Sequence, residues 1–325
     1  LLVGLALYLV CCMACAIAPS LEILLAIRLV QGVVACAAPV TARAIVTDVH
    51  AGPAAQRAMS IVTAGMGFAP VLAPSVGALV LEFTDWRGIF WTLSVTAALL
   101  LALVAVFLDE SRPESAAPAS LRVGALASRY VRILRDRRFI DYALPSLFAG
   151  GALFTFLSAA TFALQDGLGV STRNFGLMFG GVMLGFVSGA TLASAYSPKL
   201  GLDRSILIGL FASVVGGMAM FGLWLVGVRH WAAIILPMCC VMFGMGILRP
   251  NSIAGAMAPF REMAGAASAL IGFLQMAAGA TAGALLLLLP FPPGDVMPPL
   301  VALYPTISLC VFAAMRMRRK PAEAR

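Results

Sequence analysis

Polar side chains that could do chemistry are rare in this sequence, and several of them stand inside long apolar stretches. Arg28 is followed three residues later by Gln31, and Arg249 is followed at once by Pro250 and Asn251. A guanidinium in hydrocarbon costs about 2.5–3.5 kcal/mol, and its five N–H donors need acceptors. Gln31 lies on nearly the same helical face as Arg28 and can supply one. These residues are therefore candidates for ion or ligand sites, although an arginine near a span end can also extend to the membrane interface.

The residue patterns typical of enzymes are missing from the sequence. His50 and His230 have no metal-ligating neighbours, and there is no phosphate loop, dinucleotide fingerprint or HExxH motif. Seven cysteines all fall in apolar runs without zinc-type spacing, which indicates small buried side chains rather than a disulfide framework. A membrane-embedded enzyme would need clustered His, Asp or Glu within the apolar runs, and almost none exist there. We therefore expect no enzymatic activity, no metal and no cofactor.

The composition of the chain is that of a membrane protein. Of its 325 residues, 62% are apolar and 11% are charged, whereas soluble domains have about 45–50% and about 25%. These values exclude a soluble enzyme, a nucleic-acid-binding domain, a coiled coil and a disordered chain. The net charge of +8 does not point to nucleic acid, because it collects in short segments between apolar runs.

Ten apolar runs are long enough to cross a bilayer, for which a helix needs about 20 residues. They are continuous and do not alternate in polarity, so helices are favoured over barrel strands. The sequence therefore predicts an all-α protein with ten transmembrane helices. These runs cover approximately residues 1–18, 23–46, 59–81, 88–108, 142–164, 174–197, 205–227, 231–254, 266–289 and 297–315.

The distribution of Lys and Arg predicts the orientation of these spans. Residues 109–141 form one long linker rich in arginine, whose second part has the periodicity of a helix on the membrane surface. With this linker and the basic C-terminal tail in the cytoplasm, the outer segments hold only Arg87, Arg173 and Arg229. Positive charge marks the cytoplasmic side, so we expect both ends of the chain to be cytoplasmic.

Two segments on either side of the linker are similar to each other. Residues 58–83 and 266–290 both lead from a small-residue loop into a Gly/Ala-rich helix that closes with GAL and an apolar run. They contain the third and ninth apolar runs. If these runs are equivalent members of two repeated halves, the first half is two helices shorter than the second. Parallel halves are typical of secondary transporters. We therefore expect a twelve-helix protein of which two N-terminal helices are missing here. Its parts would be a bundle remainder at 1–108, the linker at 109–141, a six-helix bundle at 142–316 and a tail at 317–325.

The motifs of the chain resemble those of the drug:proton antiporters of the major facilitator superfamily. The resemblance is carried by IRLVQGVVACAAPVTARAIVTD (27–48), GMGFAPVLAPSVGALV (65–80) and DWRGIFW (85–91). The Bcr/CflA drug-resistance branch is similar in three segments. These are APVLAPSVGAL, WRGIF after it, and later RDRRFIDYALPSLFAGGALFTFLSAATFAL (135–164). This resemblance implies a twelve-helix fold and multidrug efflux in exchange for protons. It also implies a bacterial inner-membrane protein whose partners are small apolar drugs, protons and lipid, and we expect a monomer.

The resemblance also assigns roles to individual residues. Arg28, with Gln31, would tune a protonatable group on the first helix of the family, and Arg43 and Asp48 would join a cytoplasmic gate. An ordinary solvated helix end explains Arg43 and Asp48 more simply, because their spacing of five residues points them to different faces of a helix. A substrate-cavity role is assigned to Arg249, Asn251 and Gln275. The antiporter motif at the seam between the halves comprises Gly65, Gly67, Pro70, Pro74 and Gly77.

Other functions remain open at this point. A proton-coupled or passive transporter of a small metabolite would have the same spans, and the direction and pH dependence of substrate flux would distinguish it. The fragment could also be inactive for lack of the helices that complete its first half. The kinks and close contacts permitted by the prolines and glycines of residues 65–80 favour an exporter by resemblance.

Overall fold

The computed structural model describes residues 1–36, 75–108 and 123–319, together with residues 38, 41, 42, 45, 46, 49 and 73. The chain divides into two compact units, Leu1–Ala119 and Ser120–Arg325. The described residues contain helices and turns but no strand, as the all-α prediction requires.

The first unit contains three helices with defined ends, α1 (Leu2–Ala16), α2 (Leu21–Ala35) and α3 (Trp86–Phe107). Residues 75–83 are also helical. Helix α1 packs against both α2 and α3. The Asp85 carboxylate caps α3 by accepting a hydrogen bond from the Arg87 backbone N–H at 3.0 Å. The Arg87 side chain donates to the Ala18 carbonyl at 2.9 Å, which ties the end of α1 to the start of α3.

The second unit begins with an amphipathic helix and continues with six long apolar ones. Helix α4 (Val123–Arg135) packs against α5 and α9, with Ile133 fully buried, while Arg132 and Arg135 are exposed. A π-helical turn, Phe162–Asp166, extends α5, and a 3-10 turn, Ala258–Met263, follows α8. The six apolar helices are α5 (Arg137–Thr161), α6 (Thr172–Leu200), α7 (Leu202–Leu225), α8 (Ala232–Met257), α9 (Ala264–Leu288) and α10 (Pro293–Arg319).

Helix α8 is the central element of the second unit. It packs against α5, α6 and α7, while α10 packs against α5 and α7, and α9 packs against α5. The largest fully buried side chains include Met238, Met242 and Leu248, all on α8. Residues on α8 can therefore contact several neighbouring helices.

Seven of the ten expected spans are confirmed as helices that are long and apolar enough to cross a membrane. They are α3 and α5 to α10. The first run forms α1, which is apolar but has only 15 residues, and the second begins as α2, also with 15. The third run, 59–81, lies mostly outside the described residues. The structure therefore supports a multi-helix membrane protein without confirming the number ten.

Glycine allows α6 and α8 to approach closely. A Cβ added at Gly189 of α6 would lie 2.9 Å from the Phe243 carbonyl carbon, and one added at Gly246 of α8 would lie 2.8 Å from the Ala190 nitrogen. Both neighbours are backbone atoms, which cannot move aside as a flexible side chain can. By contrast, a Cβ at Gly181, also on α6, would have no atom within 4 Å among the described residues.

We expect Gly189→Ala to destabilise the second unit by about 1–3 kcal/mol, because an extra methyl group at a filled contact forces the two backbones apart. The matched control is Gly181→Ala, which makes the same change on the same helix where space exists. Thermal denaturation of the purified protein in detergent should give a lower melting temperature for Gly189→Ala alone. Equal melting temperatures for the two variants would contradict the tight contact.

Candidate functional site

In the first unit, the structure brings Arg28 and Gln31 together. The Arg28 guanidinium donates from Nη1 to Gln31 Oε1 at 2.9 Å, as their spacing on one helix predicts. Gln31 is only 3% exposed, and its Nε2 donates to Cys12 Sγ on α1 at 3.0 Å. The guanidinium carbon of Arg28 also lies 5.5 Å from the centre of the Phe90 ring on α3. These contacts connect α1, α2 and α3 around one charged group.

Cys12 is a part of this site that the sequence does not reveal. Its position in an apolar run predicts a small buried side chain, and it is fully buried. It also accepts the hydrogen bond from Gln31 and has a hydrogen-bond contact with the Tyr8 side chain. Because the Cys12–Gln31 contact joins two helices, no periodicity within either helix could have indicated it.

In the second unit, Arg249 takes part in a polar network across three helices. Arg249 Nη2 on α8 donates to Gln275 Oε1 on α9 at 2.7 Å. Gln275 Nε2 in turn donates to Ser146 Oγ on α5 at 3.4 Å, and Ser146 donates to the Ala143 carbonyl at 2.9 Å. Gln275 and Ser146 are buried. The sequence predicts Arg249 and Gln275 as site residues, and Ser146 is an addition that only the packing of α5 against α9 reveals.

The charge of Arg249 is not balanced by a carboxylate among the described residues. Their ion pairs are Arg229–Asp295 and Arg316–Asp203, and the partner of Arg249 is a neutral amide. A guanidinium in an apolar helix that bonds only to an amide keeps its full positive charge in a low dielectric. Such a group can attract an acceptor or an anionic part of a ligand.

Asn251 faces a different neighbour from Arg249. Its Nδ2 donates to Ser197 Oγ on α6 at 2.9 Å and to the Ile247 carbonyl at 2.7 Å. Two residues along a helix correspond to a rotation of about 200°, so Asn251 and Arg249 lie on opposite faces of α8. The structure brings Arg249 and Gln275 together and places Asn251 apart from them.

The remaining predicted site residues are largely outside the described part of the chain. Gly77 is described and lies in the helical segment 75–83, where an added Cβ would have no described atom within 4 Å. The predicted seam residues Gly65, Gly67, Pro70 and Pro74, and the predicted gate residues Arg43 and Asp48, all lie outside the described residues.

A second polar cluster lies at the end of the second unit where α5 and α7 begin and α10 ends. Tyr142 donates from its hydroxyl to Asp203 Oδ1 at 2.8 Å, and Arg316 forms an ion pair with the same carboxylate. The Arg316 guanidinium also lies over the Phe312 ring at 5.4 Å. From the sequence, Arg316 contributes only to the charge pattern that predicts the orientation. The cluster forms because ends of α5, α7 and α10 meet here.

The two arginine sites are similar in their local chemistry. In each unit an arginine of an apolar helix donates to a glutamine Oε1, at 2.9 Å in the first unit and 2.7 Å in the second. Arg28 stands in the second predicted span and Arg249 in the eighth, which are equivalent positions if the halves are repeats. Within the described ranges, no group of three or more His, Cys, Asp or Glu could hold a metal ion. In both sites the arginine is held by a neutral amide oxygen.

Comparisons with known proteins identify relatives over most of the chain. The family model for the Major Facilitator Superfamily matches residues 1–283. An uncharacterized MFS-type transporter, YdgK of Bacillus subtilis, is 30% identical over 268 residues, which are 82% of this chain and 66% of that protein. The Bicyclomycin resistance protein homolog of Haemophilus influenzae is 28% identical over 265 residues, covering 80% and 65%. This chain thus spans just under two thirds of the length of these two relatives.

Further comparisons concern a drug-resistance protein and the fold. Multidrug resistance protein D of Escherichia coli is 25% identical over 275 residues, covering 85% of this chain and 68% of that protein. The crystal structure of a POT family transporter in complex with a thioalcohol conjugated peptide has a TM-score of 0.74 at 12% identity, and the match covers 98% of this chain and 81% of that one. At this identity the likeness concerns the fold alone.

Proposed function

This chain belongs to the major facilitator superfamily, a family of membrane transporters rather than enzymes, and we propose that it exports small, largely apolar drug-like molecules in exchange for protons. We also propose that it is a multi-pass protein of a bacterial inner membrane. Several relatives support both parts, since they are bacterial proteins named for bicyclomycin, chloramphenicol or multidrug resistance.

The observation that carries the proposal is the Arg28–Gln31–Cys12 arrangement. Proton exchange requires a group whose proton affinity changes during the transport cycle, and a nearby guanidinium favours the ionised form of a carboxylate. Arg28 has no carboxylate partner among the described residues and is exposed in the first unit. We therefore assign Arg28 as the electrostatic partner of a protonatable carboxylate, which the resemblance places on the first helix of the family.

In the second unit we assign Arg249 and Gln275 to the path of the drug. Both side chains lie on helices that are long and apolar enough to cross a membrane, and their hydrogen bond holds the guanidinium in one orientation. Many drugs carry carbonyl, hydroxyl or nitro oxygens on an otherwise apolar body, and these oxygens can accept a charge-assisted hydrogen bond. The two bundles would be residues 1–108 and 142–316, joined by a linker at 109–141, with a tail at 317–325.

Reconstituted vesicles test the exchange directly. With radiolabelled chloramphenicol as the probe and an imposed pH gradient, we expect drug and protons to move in opposite directions. Drug movement that ignores the gradient indicates a passive transporter, and movement in the same direction as protons indicates a symporter. Absence of any flux indicates an inactive chain. Each of these three outcomes would contradict the proposed antiport.

The proposed orientation predicts which side of the membrane reaches the linker. A cysteine introduced by Ser120→Cys should react with a membrane-impermeant maleimide only after cells are opened, because the arginine-rich linker stays in the cytoplasm. The control is Val228→Cys, between the apolar helices α7 and α8, which should react in intact cells. Labelling of position 120 from outside would reverse the orientation. The parent chain gives the background from its seven cysteines.

A further inference from the structure

A cavity of about 590 Å³ opens at the end of the second unit opposite the Tyr142–Asp203–Arg316 cluster. It lies where the π-helical turn after α5, the connection from α7 to α8 and the start of α10 meet. Its volume is within the range of pockets that hold drug-sized ligands, about 300–1,000 Å³. None of the residues assigned above to proton coupling or to the drug path lines it.

The charges that line this cavity do not cancel. Arg229 Nη1 lies 3.0 Å from Asp295 Oδ1, and Trp224 donates from Nε1 to the same oxygen at 3.2 Å. His230 accepts a hydrogen bond at Nδ1 from the Ala232 backbone N–H at 3.2 Å. Asp166 also lines the cavity, and no ion pair joins it to another described residue. The cavity therefore carries one unmatched negative charge.

The wall of the cavity is apolar and includes a fixed aromatic ring. Trp224 stacks on Phe221 with ring centres 5.9 Å apart and planes inclined by 16°. Its hydrogen bond to Asp295 holds the indole in place. Phe162 and Met220 are among the other lining side chains. Aromatic faces attract cations, and apolar walls favour ligands with a large hydrocarbon body.

We propose that this cavity binds lipophilic organic cations, with Asp166 as the counter-charge and Trp224 as the aromatic wall. A neutral ligand would gain no attraction from the exposed Asp166 carboxylate, and a lipophilic anion would be repelled by it. A small hydrated cation would gain nothing from the apolar wall. The ligand class therefore follows from the negative charge and the apolar wall together. Binding at this cavity does not require transport, so the proposal is independent of the proposed antiport.

Binding of tetraphenylphosphonium to the purified full chain tests the charge. We expect Asp166→Asn to weaken this binding about tenfold, as the loss of one partly screened charge pair at contact distance does. The control is Glu22→Gln, which removes an exposed carboxylate at the start of α2 in the other unit. The anion tetraphenylborate has nearly the same size and shape and should bind better to Asp166→Asn than to the parent. Equal affinities of Asp166→Asn and Glu22→Gln for tetraphenylphosphonium would overturn the proposal.

Labelling at the cavity tests the location. Val228 lines it, so Val228→Cys can be treated with a cationic and an anionic methanethiosulfonate of similar size. We expect faster reaction with the cationic reagent, protection by tetraphenylphosphonium, and loss of both effects when Asp166→Asn is added. Equal rates for the two reagents without protection would show that the cation binds elsewhere and would overturn the assignment.

Discussion

Replacing Arg28 with alanine should abolish proton-coupled drug efflux while leaving the protein folded. The guanidinium is held by Gln31 and by the Phe90 ring, and its proposed role is to keep a nearby carboxylate able to release its proton. Without the positive charge the carboxylate holds its proton more tightly, so release at the inner face becomes the limiting step. Drug-induced proton movement in vesicles should fall to the level of empty vesicles.

Lysine at position 28 separates this role from membrane anchoring. An ammonium group keeps the charge but cannot hold both Gln31 and a carboxylate in the fork geometry of a guanidinium, so Arg28→Lys should restore only part of the activity. If Arg28 only extends to the membrane interface, lysine should equal arginine and alanine should cause mild destabilisation at most. Arg173→Ala, which removes an exposed arginine at the start of α6, is the control for loss of positive charge. Full proton-coupled efflux by Arg28→Ala would show that Arg28 has no role in proton exchange.

Replacing Arg249 with leucine should raise the KM for drug efflux about 10- to 150-fold. This range corresponds to the loss of one hydrogen bond to a charged group, about 1.5–3 kcal/mol. Arg249→Lys should recover less than the parent affinity, because a flexible ammonium does not keep the orientation that the Gln275 bond imposes. Efflux of chloramphenicol at several concentrations gives KM and the maximal rate separately.

Asn251→Ala is the matched control for this experiment. Asn251 lies two residues further along α8 but bonds to Ser197 on α6, so its loss should lower the melting temperature and leave KM unchanged. Gln275→Leu should change KM in the same direction as Arg249→Leu, since it frees the guanidinium from its fixed orientation. An unchanged KM in Arg249→Leu, or an equal rise in Asn251→Ala, would remove Arg249 from the drug path.

Contacts within one helix could be predicted from the sequence. The spacing of Arg28 and Gln31 predicts a shared helical face, and the structure places their side chains 2.9 Å apart. The apolar runs that became α3 and α5 to α10 were predicted because length and hydropathy are local properties of the chain. The arginine-rich linker was predicted to be partly helical, and Val123–Arg135 is an amphipathic helix.

Contacts between helices could be predicted from the sequence only in part. Arg249 and Gln275 were each predicted as site residues, but the hydrogen bond between them joins two helices across 26 residues of sequence. Ser146, Cys12 and the Asp203–Arg316 pair had no sequence signal of their own. Asn251, grouped with Arg249 by sequence, faces the other side of α8.

The sequence by itself determined that this is an all-α membrane protein, where its long helices run, and which polar residues stand inside them. These properties follow from the free energy of moving each segment from water into hydrocarbon, to which tertiary contacts add little. Only the tertiary structure decided which face of α8 meets α6 and which meets α9, that Gln31 reaches Cys12, and that Asp166 is the unmatched charge of a cavity. The physical reason is that the rotation of each helix about its axis is set by close packing at glycines such as Gly189 and by hydrogen bonds between helices. Both depend on residues far apart in the chain.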